Sequence, residues 1–190
     1  MSIETNQPKE IISEEKAPAY FNAFYDLKFE FSKEDLLSFI AEAHKNTYAA
    51  PKEIRARHKC EKPILPEHKD YHYKRGDWEY HDSYAGSIWA PGKEVVFFKG
   101  KPVWCMSYQG QCLNYRNELF FEQQVFPFLK KTLRNTDESM PFRGPKEFKE
   151  GDFRYSFRID GNYDSFKGRE RIFHHVQEIF FQDVIGGLIK

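Results

Sequence analysis

The sequence has few cysteines, no excess of charge and no long apolar run. Its three cysteines are Cys60, Cys105 and Cys112, a number that fits a reducing compartment and not a disulfide scaffold. The 29 basic residues equal the 29 acidic ones, which argues against binding to nucleic acid through phosphate neutralisation. No apolar run could span a bilayer, and residues 1–10 lack a secretory signal. We therefore expect a cytoplasmic chain that contacts neither membrane nor nucleic acid directly.

Aromatic residues are abundant instead, with 19 Phe, 11 Tyr and 3 Trp among 190 residues. A chain of this length fits one domain with a substantial hydrophobic core. Residues 1–18 are polar and acidic and show no periodicity, which predicts a disordered tail. The remainder, residues 19–190, is predicted to form the single domain.

Capping residues and prolines predict where the helices lie. Ser32, with an acid three residues later, is an N-cap signature that predicts a helix to about Asn46. A second helix, capped by Asn114 or Asn117, is predicted to about residue 135, with a kink or break at Pro127. Between the first helix and the strands, residues 48–70 are interpreted as a long surface loop in which a short helix over 51–57 is left open.

Two stretches of the chain are similar, which suggests an internal duplication. Residues 76–86 (GDWEYHDSYAG) align with 151–161 (GDFRYSFRIDG), and residues 92–113 align with 168–189. We place repeat one at about 33–113 and repeat two at about 117–190. The predicted fold class is therefore α+β: two pseudo-duplicated units, each a helix plus three strands, form a largely antiparallel sheet with the helices packed on one face.

The two halves differ most informatively at Asp82, where the second half has Phe157. A carboxylate among aromatic rings is costly unless it is paired or solvated, and it complements a cationic or amine-bearing planar ligand. By strand periodicity we predict a ligand-binding wall made of Trp78, Tyr80, Asp82, Tyr84, Glu94, Trp104, Met106 and Tyr108. In the alternative interpretation these aromatic residues are core, and Asp82 pairs with an Arg or Lys of residues 48–70.

Signals for metals, cofactors and nucleophiles are weak. His58, Cys60, His68 and His72 are residues that bind zinc elsewhere, but their spacing matches no familiar zinc module. His174 and His175 adjoin in a predicted strand and should point to opposite faces. Since the chain has no phosphate-binding glycine loop or nucleophile motif, we predict no metal and no cofactor, and assign no catalytic residue.

Several short motifs resemble those of a known family. They are Y-x-D-x-Y-x-G at residues 80–86, G-x-E-V-V from Gly92, P-V-W-x-M-x-Y-x-G from Pro102, and RGP at 143–145. This pattern resembles a bacterial domain family of unknown function, whose members occur alone or behind a Cro-type helix-turn-helix in transcription regulators. The resemblance implies a sensor or effector-binding role.

The leading functional hypothesis is a domain that binds a small ligand, cationic or planar, in an aromatic pocket. One alternative is a hydrolase-like enzyme that uses Asp82 or Glu94 as its acid or base. Another is a protein-interaction module in which exposed aromatic residues form a docking patch. A small molecule is the expected partner, and a homodimer is left open.

Overall fold

A computed structural model describes residues 29–113 and 117–189 of the chain. The predicted disordered tail, residues 1–18, lies outside the described residues. Among those described, no helix is long and apolar enough to cross a membrane. The strands, in chain order, are β1 Lys69–Arg75, β2 Trp78–Tyr84, β3 Trp89–Phe98, β4 Lys101–Cys112, β5 Glu147–Glu150, β6 Phe153–Asn162, β7 Ser165–His174 and β8 Gln177–Leu188.

The eight strands form one antiparallel sheet in the order β1-β2-β3-β4-β8-β7-β6-β5. Each half of the chain is therefore a four-stranded meander, and the two meanders meet where β4 pairs with β8. Short turns connect successive strands within each meander, which is why the pairing is antiparallel. The last strand of each half lies at the centre of the sheet, and the first strand lies at an edge.

The predicted fold class, α+β with helix-plus-three-strand units, is wrong. The structure is mainly β, because each half contributes four strands and the helices are short. The strand that the sequence did not predict is β5, whose residues EFKE include one apolar side chain and no alternation. Its pairing with β6 forms this short, charged edge strand, and such a pairing leaves little signal in the strand's own composition.

Two helices precede the first meander. Helix α1, Lys33–Asn46, begins as predicted: the Ser32 hydroxyl accepts a hydrogen bond from the Asp35 backbone at 3.0 Å, and the Asp35 side chain completes a capping box. Its buried side chains include Leu36, Phe39 and Ile40, which join the hydrophobic core on one face of the sheet. Helix α2, Lys52–His58, is the short helix left open for the 48–70 segment.

The second helical region changes type along its length. It consists of α3, Glu118–Phe120, a π-helical turn, Phe121–Val125, and α4, Phe126–Leu133. Pro127 lies in the first turn of α4, directly after the π-helical turn, and has no N–H to donate to a carbonyl of that preceding turn. The predicted break at Pro127 thus appears as the wider π turn directly before it. Phe128, Leu129 and Leu133 of α4 are buried against the same core.

The two meanders share irregularities at aligned positions. The β3–β4 ladder shifts register between Val96 and Phe97, and the β7–β8 ladder shifts between Ile172 and Phe173. After each shifted strand comes a residue with positive φ, Lys99 at 50° and His175 at 54°. These coincidences support the internal duplication, which stays a prediction.

The left-handed backbone at Gly161, near the end of β6, provides a test of this fold. Gly161 has φ of 98°, and a Cβ there would lie 2.2 Å from the Ser165 carbonyl oxygen, whereas Gly151, with φ of 54°, has open space around it. We expect Gly151→Ala to lower the free energy of unfolding by about 1–2 kcal/mol, the cost of a left-handed alanine. Gly161→Ala should lose at least twice as much because of the added clash. Urea unfolding of both variants measures this, and equal losses would contradict the turn geometry.

Candidate functional site

A network of buried ionisable side chains lies under the central strands. Glu94 of β3 and Glu170 of β7 are almost completely buried, 2% and 0% exposed. Between them lies Arg143, which comes from the loop that joins α4 to β5. Its guanidinium donates to Oε1 of Glu170 at 2.9 Å and lies 3.7 Å from Oε1 of Glu94. One cation therefore holds a carboxylate from each half of the chain.

The remaining oxygens of these two glutamates also have partners. Nε2 of His44, from α1, lies 2.7 Å from Oε2 of Glu94. The Tyr155 hydroxyl donates to Oε2 of Glu170 at 2.8 Å. Burial alone would lower the pKa of Arg143, but Glu170 and Glu94 raise it above its ordinary value, so the guanidinium stays charged. Buried charges require such complete pairing, because an unpaired one carries a large desolvation penalty.

The loop that carries Arg143 is itself held closely. The Thr136 hydroxyl donates to the backbone carbonyl of Arg143. At the next residue, Gly144, a Cβ would lie 2.8 Å from the Tyr155 hydroxyl oxygen. A glycine therefore lets the loop approach the tyrosine that binds Glu170. The RGP motif at 143–145 thus combines the bridging cation with the small residue that permits its position.

Asp82 lies beside this network and forms no ion pair with a cation in the described part of the chain. On β2 it is directly opposite Glu94 of β3, and it is 2% exposed. Burial and the nearby charge of Glu94 raise its pKa to about 8, although the hydrogen bond from Tyr108 and the charge of Arg143 lower it. Asp82 is therefore mostly protonated at neutral pH. Its neighbour Tyr108 donates to Oδ1 at 2.6 Å.

Tyr108 reaches Asp82 across an intervening strand. Tyr108 lies on β4 and Asp82 on β2, and Gly92 of β3 pairs with Tyr108 between them. A Cβ at Gly92 would lie 2.3 Å from the tyrosine ring. The ring therefore lies directly over the glycine backbone, and the absence of a side chain at Gly92 makes the contact between Tyr108 and Asp82 possible.

A cavity of about 190 Å³ opens above these groups, between the sheet and α4. An apolar cavity of about 150 Å³ is large enough for a benzene ring, so this one has room for a single substituted ring. Its polar lining includes Lys69, Asp82, Tyr108, Lys130, Arg143 and Gln182. Its aromatic and apolar lining includes Tyr48, Tyr84, Phe126, Leu129 and Phe180.

The residues of the predicted ligand-binding wall are divided between this cavity and the core. Asp82, Tyr84 and Tyr108 line the cavity, and Glu94 lies next to Asp82. The other four do not line it. Those four are buried core residues, Trp78, Tyr80, Trp104 and Met106. All lie on the face that periodicity indicated, but α1 and the 140–144 loop cover that part of the sheet: Phe39 stacks on Trp78, and Phe142 stacks on Trp104. Ligand binding by the predicted wall stays a prediction.

Sequence reasoning missed the groups that other segments bring to the site. Arg143 appeared within the RGP motif but received no role, and His44, within the first predicted helix, also received none. A lone arginine in the apolar sequence MPFRGP was the available signal for a buried cation. The alternative interpretation placed the partner of Asp82 within residues 48–70. In the structure Asp82 accepts a hydrogen bond from Tyr108, and the charge of Arg143 lowers its pKa.

Asp70, another buried carboxylate, has a structural role. Asp70 accepts hydrogen bonds from the Ile64 backbone at 2.9 Å and the Ser83 hydroxyl at 2.7 Å, and lies 3.0 Å from Nε2 of His81. These contacts keep the pKa of Asp70 below its ordinary value although burial opposes this. The network fastens the 60–68 segment to β2.

Metal-binding side chains come together at a different place from the one considered in the sequence. Within residues 29–113 and 117–189, the group with metal-ligand atoms within 4.8 Å of one another is Asp152, His174 and His175. The expectation that the two histidines point to opposite faces is wrong, because β7 ends at His174 and His175 has φ of 54°. Their rings lie 4.4 Å apart as a result.

The fold and this site define a mainly β domain with a buried ionic network under a small cavity. Residues 82–189 match a family described as a domain of unknown function (DUF5680), and the chain belongs to this family. The matched segment begins at Asp82 and contains Glu94, Arg143 and Glu170. Comparisons with curated proteins and with solved structures gave no match. The bacterial occurrence and the helix-turn-helix context that the resemblance implied stay predictions.

Loss of the bridging cation should destabilise the fold. Arg143→Met leaves Glu94 and Glu170 without their shared partner, and we expect the free energy of unfolding to fall by about 3–5 kcal/mol. The matched control is Arg158→Met, which removes an exposed ion pair with Glu147 and should change stability by less than about 1 kcal/mol. Denaturant unfolding at pH 7 measures both. Similar losses in the two variants would show that Arg143 has no special structural role.

Asp82 should make stability depend on pH. Its pKa is higher in the folded protein than in the unfolded chain, so its contribution to stability is fully present below about pH 4 and is lost as pH rises through about 8. Asp82→Asn should remove this decline, which is on the order of a few kcal/mol. Unfolding curves at several pH values test it, with Asp160→Asn as an exposed control. Parallel pH profiles for wild type and Asp82→Asn would refute the raised pKa.

Proposed function

We propose that this domain binds one small planar molecule in the cavity between the sheet and α4, as a sensor or effector-binding domain does. The observation that carries the proposal is that the cavity is lined by polar side chains with hydrogen-bond donors that have no acceptor. Two lining residues, Arg143 and Gln182, each have a buried side-chain nitrogen, Nε and Nε2, with no partner among the described residues. Such a donor costs about 1–3 kcal/mol, and a ligand acceptor would recover part of that cost.

The presence of an aspartate at position 82 also supports a ligand site over a purely structural role. The aligned position in the second half is Phe157, which is completely buried in the core. An apolar residue is thus compatible with this position in the sheet. An aspartate at the same position costs free energy, because its carboxyl group must be buried. Perturbed acids of this kind, in a cavity and next to specific partners, are concentrated at functional sites.

Aromatic rings provide surface for a planar ligand. Tyr48 and Tyr84 meet edge to face with their centroids 5.9 Å apart, and both line the cavity together with Phe126. Tyrosine rings offer flat apolar area while their hydroxyls remain available for hydrogen bonds. A small planar molecule fits both the size and the lining of this space.

A second candidate is the enzyme alternative, which one observation favours. Asp82 has a pKa near neutrality and contacts Tyr108 inside the cavity, an arrangement suited to proton transfer. Glu94 is less suited, because its two oxygens face His44 and Arg143 and it does not line the cavity. Under this alternative, Asp82→Asn would abolish turnover of a bound substrate while binding persists.

The proposal is tested by closing the cavity mouth. Ser87 lines the cavity and is exposed, so Ser87→Trp should occlude it without disturbing the core. The control is Ser107→Trp, at an exposed strand position between the inward-facing Met106 and Tyr108. We expect a screen of one- and two-ring compounds by ligand-observed NMR to find compounds that bind the wild type and the control with similar affinity. The same compounds should bind Ser87→Trp at least tenfold more weakly.

Native mass spectrometry of the freshly purified wild type complements the screen. A co-purifying small molecule that is absent from Ser87→Trp would support the proposal directly. If no compound in the screen binds the wild type, or if every binder is indifferent to Ser87→Trp, the proposal is wrong.

A further inference from the structure

We infer that the ligand of this cavity is an organic anion, a planar molecule whose acid group lies between Lys69 and Lys130. This inference rests on the proposed function, which leaves the charge of the ligand open. Its basis is the arrangement of cations around the cavity mouth, together with the neutral form of the acid inside.

Two lysines flank the aromatic mouth. Nζ of Lys69 lies 5.4 Å from the centroid of Tyr84, and Nζ of Lys130 lies 5.0 Å from the centroid of Tyr48. These two tyrosine rings contact each other, so each lysine lies over one ring of a single aromatic pair. Among the described residues, neither ammonium group forms an ion pair with a carboxylate. Lys69 donates to the Gly86 carbonyl, at 3.4 Å.

Further cations lie close to Lys130. Arg55 and Arg134 donate to the backbone carbonyls of Ala50 and Ala49, at 3.5 and 2.7 Å, so their hydrogen bonds do not neutralise their charge. Burial and the charges of Arg55, Lys69 and Arg134 lower the pKa of Lys130 to about 8. Burial is the largest cause of the lowered pKa, and the three nearby cations add to it. Among residues 29–113 and 117–189, Glu122 is the acid besides Asp82 that lines the cavity, and it is exposed.

The described groups inside the cavity carry little uncompensated negative charge at neutral pH. Asp82 is mostly protonated there, and Arg143 is neutralised by Glu94 and Glu170. A cationic ligand would therefore meet lysines at the mouth and a neutral acid inside. An anion would gain two charge-assisted contacts, which are about twice as strong as neutral hydrogen bonds.

The inference predicts a specific pH dependence. As pH rises through about 8, Lys130 loses its charge and Asp82 gains one, and both changes oppose an anion. The charged and titratable groups near Lys130 are Tyr48, Arg55, Lys69, Arg134 and, in the cavity lining, Glu122. Those near Asp82 are Tyr48, Asp70, Tyr71, Tyr80, Tyr84, Glu94, Tyr108 and Arg143. The affinity for an anion should therefore fall at least tenfold between pH 6.5 and pH 9.5.

Three probes of one shape and different charge test this on the full chain: benzoate, benzamide and benzylammonium. Titration calorimetry at pH 6.5 and low salt should give benzoate at least tenfold higher affinity than either of the others. Benzoate alone is then followed to pH 9.5, because its own charge is constant over that range. An unchanged or rising affinity for benzoate would overturn the inference.

Lysine variants separate the local contact from general charge. Lys130→Met should weaken benzoate binding about tenfold at pH 6.5, change benzamide binding less than twofold and flatten the pH profile. The control is the adjacent Lys131→Met, which removes an exposed partner of Glu150 and should leave benzoate binding unchanged. Equal effects of the two variants would overturn the inference.

The outcomes distinguish this inference from the proposed function. If benzamide or benzylammonium binds at least as well as benzoate and Ser87→Trp blocks that binding, the cavity is a ligand site and only the anion inference fails. If none of the three probes binds and the ring-compound screen is also empty, both fail.

Discussion

The charge of Arg143 is the constraint on which the centre of this molecule depends. Two glutamates on corresponding inner strands, Glu94 and Glu170, point into the same apolar core. Two buried carboxylates would repel each other and lose their hydration, and only a cation between them makes the arrangement favourable. The guanidinium suits this task because it is planar, always charged and able to donate in several directions.

The position of that cation has consequences for the rest of the site. A single guanidinium already shared by two glutamates can do little for a third acid, so Asp82 is left with a hydrogen bond from Tyr108 and a raised pKa. The fold thereby keeps a neutral acid at the wall of a cavity. The ionic network and the cavity are therefore parts of one arrangement: the first determines the protonation state that the second presents.

The cavity itself breaks the near symmetry of the sheet. The two meanders match in topology and in their register shifts. The cavity, however, is lined by Asp82 and Tyr108 of the first half, and the aligned residues of the second half are the apolar Phe157 and Val184. Alignment of the halves brought Asp82 to attention for this reason. The same comparison applied to Gln182, aligned with Met106, would have indicated another polar residue of the cavity wall.

Local signals in the sequence determined much of the secondary structure and one face of the site. The capping box at Ser32 fixed the start of α1, and strand periodicity placed Asp82, Tyr84 and Tyr108 on one side of the sheet, because these features depend on residues a few positions apart. Periodicity alone does not distinguish a cavity wall from a core, and so Trp78 and Trp104 were grouped with them.

Only the tertiary structure decided the fold class and the identity of the central cation. The edge strand β5 exists because β6 offers it a partner, and its charged residues carry no strand pattern of their own. Arg143 lies far along the chain from Glu94, and their contact depends on the pairing of β4 with β8, which brings the two meanders together. Strand order and long-range charge pairing are properties of the assembled sheet, and for that reason the sequence by itself contained the residues of the site but not their arrangement.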